Sequence, residues 1–220
     1  MTRCVETSAM NIQSETLSKL NSRGKNPRIF GFDELRRDFM ELTQQQIEAF
    51  DKDGYLFFPE LFTPEEVKKL NDAVPELYDR REAYNVREKG SQAVRTNFAA
   101  HLYSAPFARL GRHPRMVRPV EQVFGEKLYM HQFKINGKMA FEGDVWQWHQ
   151  DYGTWINDDM MPEPRAMNVA IFLDDVNQYN GPLMFIPGSH KRGVLKAGHD
   201  LTTTSYPLDR KSGSAGMPRP

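Results

Sequence analysis

The chain has 220 residues, with 29 lysines and arginines balanced by 29 aspartates and glutamates. That length holds one domain with a sizeable core, and the zero formal charge speaks against nucleic acid or an anionic membrane as a partner. The single cysteine, Cys4, excludes an internal disulfide framework and argues against a cysteine-built metal site, while no apolar run reaches the ~20 residues of a membrane span.

Residues 1–30 are polar and poorly patterned, and read as an extension of the body. They lack the apolar core of a secretory signal, and the expected location is the cytoplasm. Thr43 is an N-cap with Gln46 three positions on, and Ile47 and Phe50 form the apolar side of the helix that follows. "DKDG" ends that helix, and "YLFFPE", residues 55–60, reads as a short buried strand. Thr63 is a second cap, with Pro64 at the first helical position and Glu66 closing the box. Val67, Leu70, Val74 and Leu77 make its apolar stripe despite Pro75. Residues 85–127 mix short segments and turns, with two short helices divided near Pro114.

From residue 128 the pattern changes to strands. "LYMHQFKING" alternates and is expected to turn at Asn136-Gly137. "DVWQWHQDY" is a strand candidate, and "RAMNVAIFLDDV" is the strongest strand of the chain. "NGPLMFIPGSHKRG" reads as a turn, a short strand and a Pro-Gly turn. Helices come first and strands later, without helices between the strands. This favours a mainly antiparallel sheet with helices outside and disfavours a doubly wound nucleotide fold. The expected organisation is an extension over 1–30, one domain over 31–200 and a flexible tail over 201–220.

The chemistry concentrates in "VWQWHQDYGTW", residues 145–155. On a strand, His149 and Asp151 share a face and could offer a nitrogen and an oxygen to a first-row metal, with a third ligand from elsewhere. Spacing alone leaves other readings open. With six histidines and 29 acidic residues in the chain, such a pair arises about once by chance. An ordinary ion pair, a zinc hydrolase site or a metal-free Asp–His base all remain, although no HExxH is present. Trp146, Trp148 and Trp155 are all the tryptophans of the chain. They fit either simple core packing or a wall that shields a reactive centre. Gln132 and Asn136 share a face of the preceding strand and could orient a small polar ligand, or serve as ordinary surface amides.

The block "WHQDYGTWINDDMMPEPRAMNVAIFLDDVNQYNGPLMFIPGSHKRG", with "YMHQFKING" before it and "GYLFFPELFTPEEVKKL" further upstream, resembles the phytanoyl-CoA dioxygenase family, and within it the ectoine hydroxylase branch. The resemblance covers roughly residues 42–200. It implies a double-stranded β-helix, or jelly roll, with flanking N-terminal helices. It also implies an Fe(II)- and 2-oxoglutarate-dependent dioxygenase that uses O2 to hydroxylate an unactivated C–H bond. The substrate implied is a small amino-acid-like molecule such as ectoine. By resemblance, His149 and Asp151 are iron ligands, and Gln132 touches the substrate or the cosubstrate. Asn136 contacts 2-oxoglutarate, and Trp146 is an aromatic wall beside it. Thr154 and Trp155 contact substrate. Asn168 stands near the cosubstrate, where the family has a small hydroxyl residue. His190 belongs to a turn and is not a ligand.

The family also implies a second histidine and a 2-oxoglutarate-binding arginine on later strands. The 71 residues after His149 offer no strand that carries both; His199, Arg210 and Arg219 lack the setting. The expectation is a jelly roll incomplete at its C-terminus that binds iron weakly. A jelly-roll binding protein without turnover and a metal hydrolase are the alternatives. A homodimer is compatible with the sequence, which does not specify one.

Overall fold

The computed structural model describes residues 2–11, as backbone, and residues 40–196. Five strands form one sheet, β1 (Thr2–Asn11), β2 (Asn85–Arg87), β3 (Val94–Phe98), β4 (Leu128–Lys138) and β5 (Ala166–Phe172). Their spatial order is β2-β3-β4-β1-β5, and every pairing is antiparallel.

The helical half follows its capping chemistry. In α1 (Gln44–Asp53) the Thr43 hydroxyl accepts from the Gln46 amide at 3.2 Å, and the Gln46 side chain accepts from the Thr43 amide at 2.9 Å. Gly54, at φ 85°, ends the helix in the left-handed region. The same reciprocal box joins Thr63 and Glu66 at the start of α2 (Pro64–Asp79). Leu70, Val74 and Leu77 are its buried face. Short helices α3 (Ala100–Tyr103) and α4 (Ala105–Leu110) follow β3, and α5 (Pro114–Phe124) leads into β4. The split before Pro114 is as expected.

One face of the sheet packs on these helices. Phe133 and Ile135 of β4 and Ile171 of β5 meet Val74, Phe107, Leu110 and Met116 in a single core. Each such side chain stabilises the fold by about 1.5–3 kcal/mol on burial. Alternation along β4 and β5 places Gln132, Lys134, Asn136 and Asn168 on the opposite face.

Several expectations fail for identifiable reasons. Residues 2–11 are not an unpatterned extension but a central strand, with Val5 in register between Ile135 and Ile171. Residues 12–30 and the tail 201–220 lie outside the described residues. "YLFFPE" forms no strand. It joins no ladder of the described residues, Phe57 is 71% exposed, and Tyr55 stacks on Phe185 with centroids 5.4 Å apart. "PLMFI" likewise runs without a ladder, whereas the Pro187-Gly188 turn forms. No turn forms at Asn136-Gly137, because β4 is paired on both sides there, to Thr96 of β3 and to Cys4 and Arg3 of β1. Gly137 serves close approach instead: a Cβ would sit 3.0 Å from the Tyr78 hydroxyl. Helices do not all precede strands either, since β1, β2 and β3 come before α3.

Candidate metal centre

Residues 139–150 leave β4 as a loop, and helix α6 (Asp151–Asp158) follows. The expected strand through Asp151 does not form. Asp151 instead opens α6, where a carboxylate suits the positive end of the helix dipole. The pair converges nonetheless. His149 Nε2 lies 3.3 Å from Asp151 Oδ1, and His149 Nδ1 lies 2.6 Å from the Gln147 carbonyl. A carbonyl only accepts, so Nδ1 carries the proton and donates to it. Nε2 faces the carboxylate: with a proton it donates to Asp151 Oδ1, and without one it offers its lone pair to a cation shared with that oxygen. A backbone carbonyl fixing the far nitrogen is the usual support of a metal-binding histidine.

The other carboxylate oxygen is held separately, since Asn168 donates its amide to Asp151 Oδ2. Burial works to raise the Asp151 carboxyl. The hydrogen bond and charge of His149, then Lys134 and the Asn168 amide, outweigh it and hold the group below the ordinary carboxylate range.

The remaining predicted residues surround this pair in different ways. Trp155, buried on α6, donates its indole N–H to Gln132 Oε1 at 3.4 Å. Thr154 precedes it on the same helix and is half-buried. Asn136 Oδ1 accepts from the Thr96 hydroxyl at 2.9 Å. Trp146 lies under the Arg95 guanidinium, 3.7 Å from the ring centroid. His149, Asp151 and Asn168 thus form one directly bonded cluster and Gln132 with Trp155 a second, while Asn136 and Trp146 are tied to β3.

Among the described residues no group of three His, Cys, Asp or Glu side chains gathers to hold a metal. His190 bonds the Asp51 carbonyl at 2.9 Å, in keeping with a turn role. His131 pairs with Asp159 at 3.0 Å, His113 caps α5, and His101 packs on Phe133; His199 is outside the described residues. The donors present therefore fit two of the ligands of a metal on an open face. An apolar cavity of about 310 Å³ beside β5, lined by Phe50, Phe62, Val120 and Val169, is a different volume that neither His149 nor Asp151 lines.

Sequence reasoning missed Lys134, Glu88 and Arg95. Lys134 was within reach, since it alternates between Gln132 and Asn136. The other two carry no motif.

The family model described as phytanoyl-CoA dioxygenase (PhyH) matches residues 50–214. The chain belongs to this family. It is 36% identical over 185 residues to the ectoine dioxygenase of Bordetella bronchiseptica, covering 81% of this chain and 59% of that one. It is 41% identical over 147 residues to the L-proline trans-4-hydroxylase of Streptomyces griseoviridis, covering 67% and 55%. The apoform crystal structure of EctD from S. alaskensis superposes with a TM-score of 0.62 at 34% identity, over 68% of this chain and 55% of that one. The structure of EctD with 2-oxoglutarate and 5-hydroxyectoine gives 0.54 at 32% identity, over 56% and 45%. The chain thus spans between half and three fifths of the curated relatives it matches here. No described helix is long and apolar enough to cross a membrane.

Proposed function

We propose that this chain carries part of the site of an Fe(II)- and 2-oxoglutarate-dependent dioxygenase that hydroxylates an unactivated C–H bond of a small amino-acid-like molecule, with ectoine and proline as the first candidates. The observation that carries this reading is the convergence of His149 Nε2 and Asp151 Oδ1 at 3.3 Å while Nδ1 is tied to the Gln147 carbonyl. The family and its relatives support it, and they also support reading the single sheet as part of a double-stranded β-helix.

In this reading His149 Nε2 and Asp151 Oδ1 hold the iron. When bound together with 2-oxoglutarate, iron lets O2 hydroxylate the substrate as the cosubstrate leaves as succinate and carbon dioxide. The chain's own residues do the positioning. Asn168 ties down Oδ2, so Asp151 offers one oxygen in a fixed direction. Trp155 holds Gln132 by its oxygen, which leaves the NH2 end of that amide to donate to a substrate carboxylate. Thr154 and the ring of Trp155 line the substrate side. Asn136, held by the Thr96 hydroxyl, stands where the family resemblance puts a 2-oxoglutarate contact, and Lys134 adds positive charge on the same face. Trp146 narrows the approach of water.

The test is succinate formation with Fe(II), 2-oxoglutarate, O2 and either ectoine or L-proline. Activity that needs every component and disappears in His149→Ala and Asp151→Ala supports the assignment. Succinate formed equally well by both variants refutes it. A second reading, a binding protein of the same fold without turnover, is favoured by one observation: among the described residues no third His, Cys, Asp or Glu joins His149 and Asp151. Saturable ligand binding without succinate would select it.

A further inference from the structure

Residues 139–150 carry His149, yet no helix or extended ladder directs their course. Gln150 ties their last residue to the Gly193 carbonyl and the Leu195 amide at 2.9 Å and 2.8 Å, and a buried ion pair on the β2–β3 hairpin grips their middle. The Arg95 and Glu88 side chains are only 10% and 5% exposed and meet at 3.1 Å and 3.2 Å. Every further side-chain hydrogen bond of the pair among the described residues goes to the loop. Glu88 Oε1 accepts from the Asp144 amide at 3.2 Å. Arg95 Nη1 donates to the Asp144 carbonyl at 3.4 Å and Nη2 to the Val145 carbonyl at 3.2 Å. The guanidinium plane then covers the ring of Trp146, 3.7 Å from its centroid. Three consecutive residues are thereby fixed by one planar fork, and His149 follows three positions later.

We propose that Arg95, with Glu88 as its counter-ion, is a positioning residue for His149: it sets the course of the loop so that the imidazole arrives with Nδ1 on the Gln147 carbonyl and Nε2 toward Asp151. A buried ion pair adds little net stability over a packed apolar pair, so orientation is what this one contributes. The β2–β3 ladder does not require it, because Asn85, Val86 and Arg87 pair with Asn97, Thr96 and Val94 through the backbone. Lysine cannot replace the arginine. It has no fork to reach two successive carbonyls and no plane to stack on indole.

The proposal rests on the reading of His149 and Asp151 as metal ligands, and the experiment keeps the two apart. The full chain and its Arg95→Lys variant are titrated with Co(II), with His149→Ala as the reference for specific binding. Without metal, the nitrogen-bound proton of His149 is located by long-range 1H–15N NMR. Far-UV circular dichroism and thermal unfolding report the fold. The expected result is a folded R95K chain whose Co(II) affinity is about tenfold weaker, the size of effect seen when a ligand's supporting partner is removed, with the Nδ1–H signal of His149 lost or averaged. If R95K unfolds earlier but keeps the parent's Co(II) affinity and Nδ1–H signal, Arg95 is only a structural residue and the proposal is overturned. If the parent chain binds Co(II) no better than His149→Ala, the metal reading fails. The NMR signal alone then decides: present in the parent and lost in R95K supports the positioning role, and present in both overturns it. Should R95K not fold, Trp146→Leu leaves the ion pair intact, removes the stacking of Arg95 on the loop three residues before His149 and is judged by the same two readouts.

Discussion

Replacing Glu66 by glutamine tests how the helical layer is tied together. Glu66 closes the N-cap of α2 and also accepts from both terminal nitrogens of Arg115 on α5. Arg115 is nearly buried, its side chain 10% exposed; it donates to the Leu61 carbonyl and lies 4.2 Å from the Phe62 ring centroid. Glutamine keeps the capping geometry but replaces a bidentate ion pair by at most one bond from the guanidinium to an uncharged amide oxygen and leaves a poorly solvated charge without its counter-ion. Hydrogen bonds to charged groups contribute about 1.5–3 kcal/mol. Glu66 itself is about a third exposed, so the lower half of that range applies, about 2 kcal/mol after solvent screening. In a chain of this size that corresponds to a drop of about 4–8 °C in Tm. The pH dependence follows from the carboxyl. Burial works to raise it, but the Arg115 hydrogen bond, then the Thr63 amide and the Arg115 charge, hold it below its ordinary value of 4.5. A depressed carboxylate stabilises the fold above the unfolded-state pKa and loses that contribution as pH falls through the folded one. Urea unfolding at pH 7 should therefore separate parent and E66Q by the full amount, and the gap should close as pH drops below about 4. A gap that persists unchanged into acid would refute the ion-pair account.

Three further outcomes are expected. Gly137→Ala places a Cβ 3.0 Å from both the Tyr78 hydroxyl and the Val94 carbonyl and should destabilise by about 1–3 kcal/mol in denaturant titration. Trp155→Phe keeps a buried ring but removes the donor to Gln132, so under the proposed dioxygenase function it should raise KM for the amino-acid-like substrate several-fold with kcat less affected. Asn168→Ala frees Asp151 Oδ2 and should weaken Co(II) binding about tenfold with little change in Tm.

What could be read before the structure was what depends on neighbours in the chain. The two capping boxes need only a threonine and an acceptor three residues later, and both formed as expected. The stripe Leu70, Val74, Leu77 repeats every three or four residues and became the buried face of α2. His149 and Asp151 met, although the local geometry expected for them did not form. A strand would have aligned them by alternation, whereas a loop and the first turn of α6 do so by bending the chain between them. Their chemical types and short separation were enough to keep them within reach under either backbone.

Everything that depended on distant partners was illegible. Residues 2–11 look like an unpatterned polar stretch because a central strand can draw its stability from ladders on both sides, and Val5 acquires meaning only between Ile135 and Ile171. "YLFFPE" looks like a buried strand and is not, because hydrophobicity supplies a reason to pair but no partner. Glu88 and Arg95 carry no motif, and the contacts that make them matter lie some fifty residues away at Asp144 and Val145. The sequence by itself determined the helix caps, the apolar stripe, the family and the two residue types proposed here as metal ligands, since these are properties of local spacing. Tertiary structure alone decided which strand enters the sheet between β4 and β5 and what holds the His149 loop, since hydrogen bonds and ion pairs between remote segments leave no period in the chain.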